Sequence, residues 1–156
     1  CGLERAYHIE DATGRVVWRR KAAGYRLPTE AEWERAARTD ATFEFAGADD
    51  LRQVGWYADN SRGTPRPVGA LRPNPLGLYD CSGNVWEWCH DGYAADQYRR
   101  SEPVDPVGPD DAPTKVIRGG SASNVEERCR VAARGDAPPE GVDVFLGFRV
   151  VRNATG

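Results

Sequence analysis

Methionine is absent from this sequence of 156 residues, and histidine occurs only twice, at His8 and His90. The four cysteines (Cys1, Cys81, Cys89 and Cys129) form no C-x-x-C pair. Two distant histidines and unpaired cysteines do not make zinc-ligand spacing. A Cys89–Cys129 disulfide is left open for an oxidising compartment, because connectivity is not readable from sequence. Cys81 reads as a small buried thiol. No stretch is apolar for long enough to span a bilayer, and there is no signal-peptide pattern. With 21 basic and 24 acidic residues the net charge is −3. Neither a basic stripe nor a run of like charge is present, which argues against nucleic acid as partner. A G-x-S-x-G elbow, a phosphate loop and an H-E-x-x-H pair are all missing. The sequence opens on Cys1 rather than Met, and the expectation is a domain lacking its N-terminal part.

What is abundant points to a folded, loop-rich chain. There are 17 Gly and 11 Pro, a larger share than the roughly one in eight of ordinary chains. Disorder would accompany such a composition if aromatics were scarce, but five Trp, six Tyr and four Phe are present. One helix is well marked. Thr29 is its cap, Glu32 completes a capping box, and Pro28 lies just outside. Trp33, Ala36 and Ala37 share a face, Glu30, Glu34 and Arg35 point elsewhere, and the helix ends near Arg38. A weaker helix is expected around Leu3 to Tyr7, and a short strand at Val16 to Trp18 after the Thr13-Gly14 turn. Residues 39–75 read as mostly irregular, anchored by Trp56 and Tyr57. Residues 99–114 read as an exposed loop. Lys115 to Arg118 is a strand. Phe148 to Val151 alternates as one, with Phe148 and Val150 on one face. Without internal repeats, a single domain over 1–156 is the economical organisation.

Four segments carry a resemblance. They are Gly24-Tyr25-Arg26-Leu27-Pro28-Thr29-Glu30-Ala31-Glu32-Trp33-Glu34, Gly77-Leu78-Tyr79-Asp80-Cys81-Ser82-Gly83-Asn84-Val85-Trp86-Glu87-Trp88, Arg118-Gly119-Gly120-Ser121 and Gly147-Phe148-Arg149. In this order and spacing they closely resemble the formylglycine-generating (sulfatase-modifying) enzyme family, over residues 3 to 152. The resemblance implies an α+β fold of C-type-lectin-like, formylglycine-generating-enzyme type with little regular secondary structure. Read from the residues alone, Trp86 and Trp88 would share one face of a strand and Glu87 the other. A buried carboxylate there needs a partner, either a cation or an Arg or backbone amide. Calcium takes carboxylate and carbonyl oxygens. The resemblance implies a calcium site at Asp80 and Glu87 with the carbonyls of Gly83 and Val85. A second calcium site of some relatives is not carried over, because the loop after Asn60 is short.

Enzymes of this family are similar in holding copper through two cysteines, placed between the Gly-Gly-Ser segment and an Arg-Val-Ala-Ala-Arg segment, to convert a substrate cysteine to formylglycine. Here the interval 122–129 contains Cys129 alone, directly before Arg130. Soft Cu(I) wants both thiolates, so copper and catalysis are not expected of this domain. Cys129 reads as a packed residue. Arg118, Arg130, Arg134 and Arg149 are expected to pair with acidic side chains and knit loops together. Asp91, Asp96, Asp105, Asp110 and Asp111 read as a solvated surface. Asn153-Ala154-Thr155 fits a glycosylation acceptor at a frayed end.

The expected ligand face is 122–128 with 135–145, and in particular Ala122, Ser123, Asn124, Val125, Glu126, Asp136, Val142, Asp143, Val144 and Phe145. Val142, Val144 and Phe145 would form an apolar contact patch, with a core role for Phe145 as the alternative. The chain is therefore expected to be a monomeric, non-catalytic module that binds a protein or small molecule. Two versions stand side by side: a relative whose pocket has drifted to a new ligand, and a variable protein of a diversity-generating retroelement, which the Gly-Gly-Ser to Gly-Phe-Arg interval resembles. The alternative is a formylglycine-generating oxidase completed by other parts.

Overall fold

A computed structural model describes residues 2–153. Helix α1 runs Glu30–Arg38 with the expected capping box: Glu32 N–H donates to Thr29 Oγ1 (3.2 Å) and Thr29 N–H to Glu32 Oε2 (2.8 Å). Trp33 and Ala37 face inward, 1% and 0% exposed. Glu30 departs from the sequence reading, because it is buried beside them and Glu34 is half-buried. On a helix, positions 30, 33, 34 and 37 lie on one side. Acidic residues can occupy that side because two arginines meet them there.

Tyr7–Ile9 form strand β1, not a helix, and pair antiparallel with β2 (Val16–Trp18). The Glu10–Gly14 turn between them places Gly14 at φ 68° and lets its N–H reach the Glu10 carbonyl at 2.8 Å. Partner strands outweigh the weak helical propensity of a short segment. Residues 39–75 are irregular apart from a 3₁₀ turn at Leu51–Gln53 and a short helix α2, Ala58–Ser61.

The main sheet has four strands: β3 (Trp86–Gly92), β4 (Lys115–Arg118), β5 (Arg134–Ala137) and β6 (Leu146–Gly147). Their order is β5-β4-β3-β6, with β6 parallel to β3 and the other pairs antiparallel. A short helix α3, Gln97–Arg100, follows β3. The alternation expected of β3 holds. Glu87, Cys89 and Asp91 are buried toward α1, while Trp88 and His90 are half-buried on the outer face. Past β6, the chain keeps its alternation without a partner strand. Phe148 and Val150 are 68% and 51% exposed, and Val151 makes a single bridge to Arg26.

Two apolar clusters fill the interior. The first joins Trp33, Ala37, Ala46, Cys81, Cys89, Val116 and Val131. The second joins Phe45, Ala48, Leu51, Val54, Tyr57 and Cys129. Cys89 and Cys129 thus belong to different clusters, and both are free thiols rather than a disulfide.

Charge stitches the irregular segments to this core. Arg118, 0% exposed, donates to Glu30 Oε1 (2.7 Å), Glu34 Oε2 (2.8 Å) and the Val131 carbonyl (2.6 Å). Arg134 grips Glu30 through Nε (2.6 Å) and Nη2 (2.7 Å). Tyr98 of α3 donates to Glu34. Asp91 is not solvated surface but buried: it accepts from Glu30 N–H at the start of α1 (2.8 Å) and from Gly108 N–H (2.6 Å). Burial pushes its pKa up, and the amide of Gly108 opposes that first. Asn153 is anchored as well. Its Nδ2 donates to the carbonyls of Arg20 (2.7 Å) and Ala22 (3.0 Å), and its Oδ1 accepts from Arg26 (2.9 Å). A glycan would have to displace those bonds; Ala154 and Thr155 lie outside the described residues.

Candidate functional site: the face around Trp86

Trp86 brings the two expected ligand segments together. Its amide donates to the Phe145 carbonyl (2.7 Å). Arg128 lies over its ring, 5.3 Å from the centroid. Gly135 packs flat against the same indole, since a Cβ there would sit 3.3 Å from the ring and 3.0 Å from Ile117 Cγ1. Trp86 and Arg128 were not among the residues singled out as ligand contacts. The Trp pair at i, i+2 was visible in the sequence, but which loops would cover each indole was not.

The loop after β4 is shaped by Gly120 at φ 73°, where a Cβ would strike the Arg128 carbonyl and Cys129. Beyond it, Ala122 does not face a ligand. It is 0% exposed, its amide donates to the Asn84 carbonyl (2.8 Å), and its carbonyl accepts from Ser61 Oγ (2.6 Å). Asn124 is half-buried: its carbonyl accepts from Ala58 N–H (2.9 Å) and its Oδ1 from Ser121 Oγ (2.9 Å). Ser123, Val125 and Glu126 are exposed, as are Asp136, Val142, Asp143 and Val144. Val142 is 98% and Val144 75% exposed. Asp143 shapes its own turn by accepting from Phe145 N–H (2.7 Å). Phe145 is half-buried and holds the loop to β3 through its carbonyl. The face thus consists of exposed mixed side chains on anchored backbone.

The expected calcium ligands are close in sequence but already engaged. Glu87 Oε2 accepts from Arg149 Nε (2.5 Å) and from Trp33 Nε1 (2.6 Å), and Oε1 accepts from Arg149 Nη2 (2.6 Å). Arg149 also donates to the Tyr79 carbonyl (3.1 Å). Burial works against the Arg149 charge, and the Glu87 carboxylate more than restores it, raising the pKa. Three N–H groups leave about one of the four lone-pair sites free, and a dication would meet the guanidinium charge. Glu87 as placed therefore does not fit a calcium cage. Gly83 sits at φ 81° and packs on the Trp56 backbone. Asp80, at φ 57°, accepts from Gly69 N–H (2.8 Å), and its other oxygen is buried without a hydrogen-bond partner among the described residues. Those residues include no cluster of three or more His, Cys, Asp or Glu suited to a metal.

Cys129 is fully buried, and burial pushes its thiol up to about 12. Cys81 is likewise pushed up to about 12, and Cys89 is raised, also by burial. All three are buried free thiols, and Cys81 and Cys89 lie in a different apolar cluster from Cys129.

Short strands, one capped helix and long loops stitched by buried arginines define an α+β domain of C-type-lectin-like, formylglycine-generating-enzyme type. The chain belongs to the family described as the sulfatase-modifying factor enzyme 1-like domain, which matches residues 8–154. It is similar to the formylglycine-generating enzyme of Streptomyces coelicolor, 40% identical over 162 aligned residues covering 92% of this chain and 50% of that protein. It is also similar to the serine/threonine-protein kinase pkn1 of Chlamydia pneumoniae, 37% identical over 91% of this chain and 22% of that protein. Among solved structures, the Treponema denticola variable protein 1 superposes with a TM-score of 0.87 at 32% identity, covering 95% of this chain and 62% of that one. The chain thus spans about half the length, or less, of the curated relatives it matches. None of its described helices is long and apolar enough to cross a membrane.

Proposed function

We propose that this domain is a binding module that performs no oxidation, presenting the exposed residues of 123–128 and 136–144 to a protein or small-molecule ligand. The carrying observation is the Trp86 hub. Its amide holds the Phe145 carbonyl and its ring meets Gly135 and the Arg128 side chain, while most other side chains of the two segments stay exposed, which suits a surface whose residues change while its frame does not. The likeness to a variable protein supports the version in which the face is diversified by a retroelement. The likeness to formylglycine-generating enzymes supports the oxidase alternative, which the lone, buried Cys129 opposes.

Fully reduced protein should take up no stoichiometric Cu(I) and form no formylglycine on a cysteine-containing peptide. Stoichiometric copper that disappears in Cys129→Ser, together with peptide oxidation, would reinstate the enzyme.

For Glu87, the reading is that Arg149 supplies the positive charge that a calcium ion would otherwise supply. Calcium at Asp80, Glu87 and the Gly83 and Val85 carbonyls is the competing proposal, supported by the orphaned Asp80 oxygen.

A further inference from the structure

A cavity of about 690 Å³ opens on the outer face of the main sheet, with neither Trp86 nor any residue of 122–128 in its lining. Only Pro139 of its lining comes from the 135–145 segment. Its floor is the outer side of β3 and β4, with Trp88, His90 and Lys115, and one wall is the β1–β2 hairpin with Tyr7 and Trp18. The volume lies within the roughly 300–1,000 Å³ of small-molecule sites, which combine apolar and aromatic walls with a few polar groups.

The walls are ordered by their own contacts. His90 stacks on Tyr7 (centroids 5.8 Å, planes 17° apart) and packs on Trp18 (4.2 Å). Tyr7 OH and His90 Nδ1 are hydrogen-bonded at 3.2 Å. Burial first, and Lys115 next, lower the His90 pKa to about 4, so the ring is a neutral aromatic surface near pH 7. Arg20 and Arg26 lie over Trp18, at 5.3 and 5.4 Å from its centroid. Trp88 stacks on no other ring among the described residues, leaving its indole as the open face. The Trp18 indole N–H is buried with no acceptor.

The charges of the lining are unbalanced. Lys115 and Arg20 face one carboxylate, Asp110. Lys115 Nζ donates to the His90 carbonyl (3.1 Å) and Arg20 to the Asp105 carbonyl (3.0 Å). Neither has an ion-pair partner among the described residues, whereas Arg26, Arg118, Arg134 and Arg149 all do. Two cations without a carboxylate partner among the described residues, at the edge of an aromatic box, complement a flat ring that carries an anionic group.

We propose that this cavity binds a planar aromatic carboxylate, its ring against Trp88 and its carboxylate toward Lys115 and Arg20. This site is separate from the Trp86 face and does not depend on that face binding anything.

The test is a calorimetric and NMR titration of the 156-residue protein with indole-3-acetate, and with tryptamine as the cation of similar shape. Indole-3-acetate should bind saturably and shift the Trp88 and His90 ring signals, and tryptamine should bind at least about tenfold more weakly. Lys115→Met should weaken indole-3-acetate at least about tenfold, with its melting temperature checked alongside. Should that variant unfold, Arg20→Met reads the same quantity from the other cation. Val68→Ser, at an exposed position outside the cavity lining, should leave this affinity unchanged. Absence of saturable binding would overturn the site. So would equal affinity for tryptamine, or indifference to the cation that was removed.

Discussion

Arg118→Ala is expected to lower the unfolding free energy by about 3–5 kcal/mol, the usual cost of breaking a buried ion pair from one side. Urea denaturation would measure it. Arg118 is 0% exposed and ties Glu30, Glu34 and the Val131 carbonyl to one guanidinium. It also lies over Trp33, 5.1 Å from the ring centroid. Truncation leaves the Val131 carbonyl without this donor, leaves Glu34 to Arg38 and Tyr98 alone, and opens a hole beside the buried Trp33 ring. Arg134 still holds Glu30, which keeps the loss at the scale of one broken pair. Arg118→Lys should recover little, because an ammonium cannot reproduce a planar fork spread over three acceptors. A loss below about 1 kcal/mol, the scale of a surface pair, would mean that the network does not hold α1 to the sheet.

Glu87→Ala should be similarly costly, about 3–5 kcal/mol by the same argument. The Glu87 and Arg149 side chains are 7% and 21% exposed, and the substitution leaves the guanidinium and the Trp33 N–H without their acceptor. The same experiment separates an internal ion pair from a cation site. With Arg149 as the partner of Glu87, the melting temperature of the wild type is the same in chelator and in millimolar calcium. A ligand that binds only the folded state raises stability with its concentration. A calcium-dependent rise that vanishes in Glu87→Ala and in Asp80→Asn would therefore establish the metal.

Local rules carried the sequence reading where neighbours in sequence decide the outcome. The Thr29–Glu32 capping box, the Val16–Trp18 strand and the Trp86/Glu87/Trp88 alternation each depend on a few adjacent residues, and each is present. The family's fold was legible because four motif segments stand in the family's order and spacing along the chain. What escaped is what distant pairing decides. Tyr7–Ile9 is a strand because Val16–Trp18 is there to pair with it. Glu30 turns inward because Arg134, 104 positions on, offers two donors. Asp91 is buried because Gly108 and the first turn of α1 bring it amides. Ala122 lies between a ligand-face loop and Ser61, so its position in the interval did not disclose that its backbone serves the core. The outer cavity was invisible for the same reason: its walls come from residues between 7 and 27, 88 to 90, between 107 and 115, and Pro139.

The central claim is a fixed frame carrying a changeable face. The most direct measurement is to sequence codons 118–149 of this locus in several isolates. Substitutions should concentrate at the exposed positions Ser123, Val125, Glu126, Glu127, Arg128, Asp136, Val142, Asp143 and Val144. Gly119, Gly120, Ala122, Cys129, Val131 and Gly135, which are buried, should stay constant together with Gly147 and Phe148. Substitutions scattered evenly over frame and face would contradict a diversified binding surface.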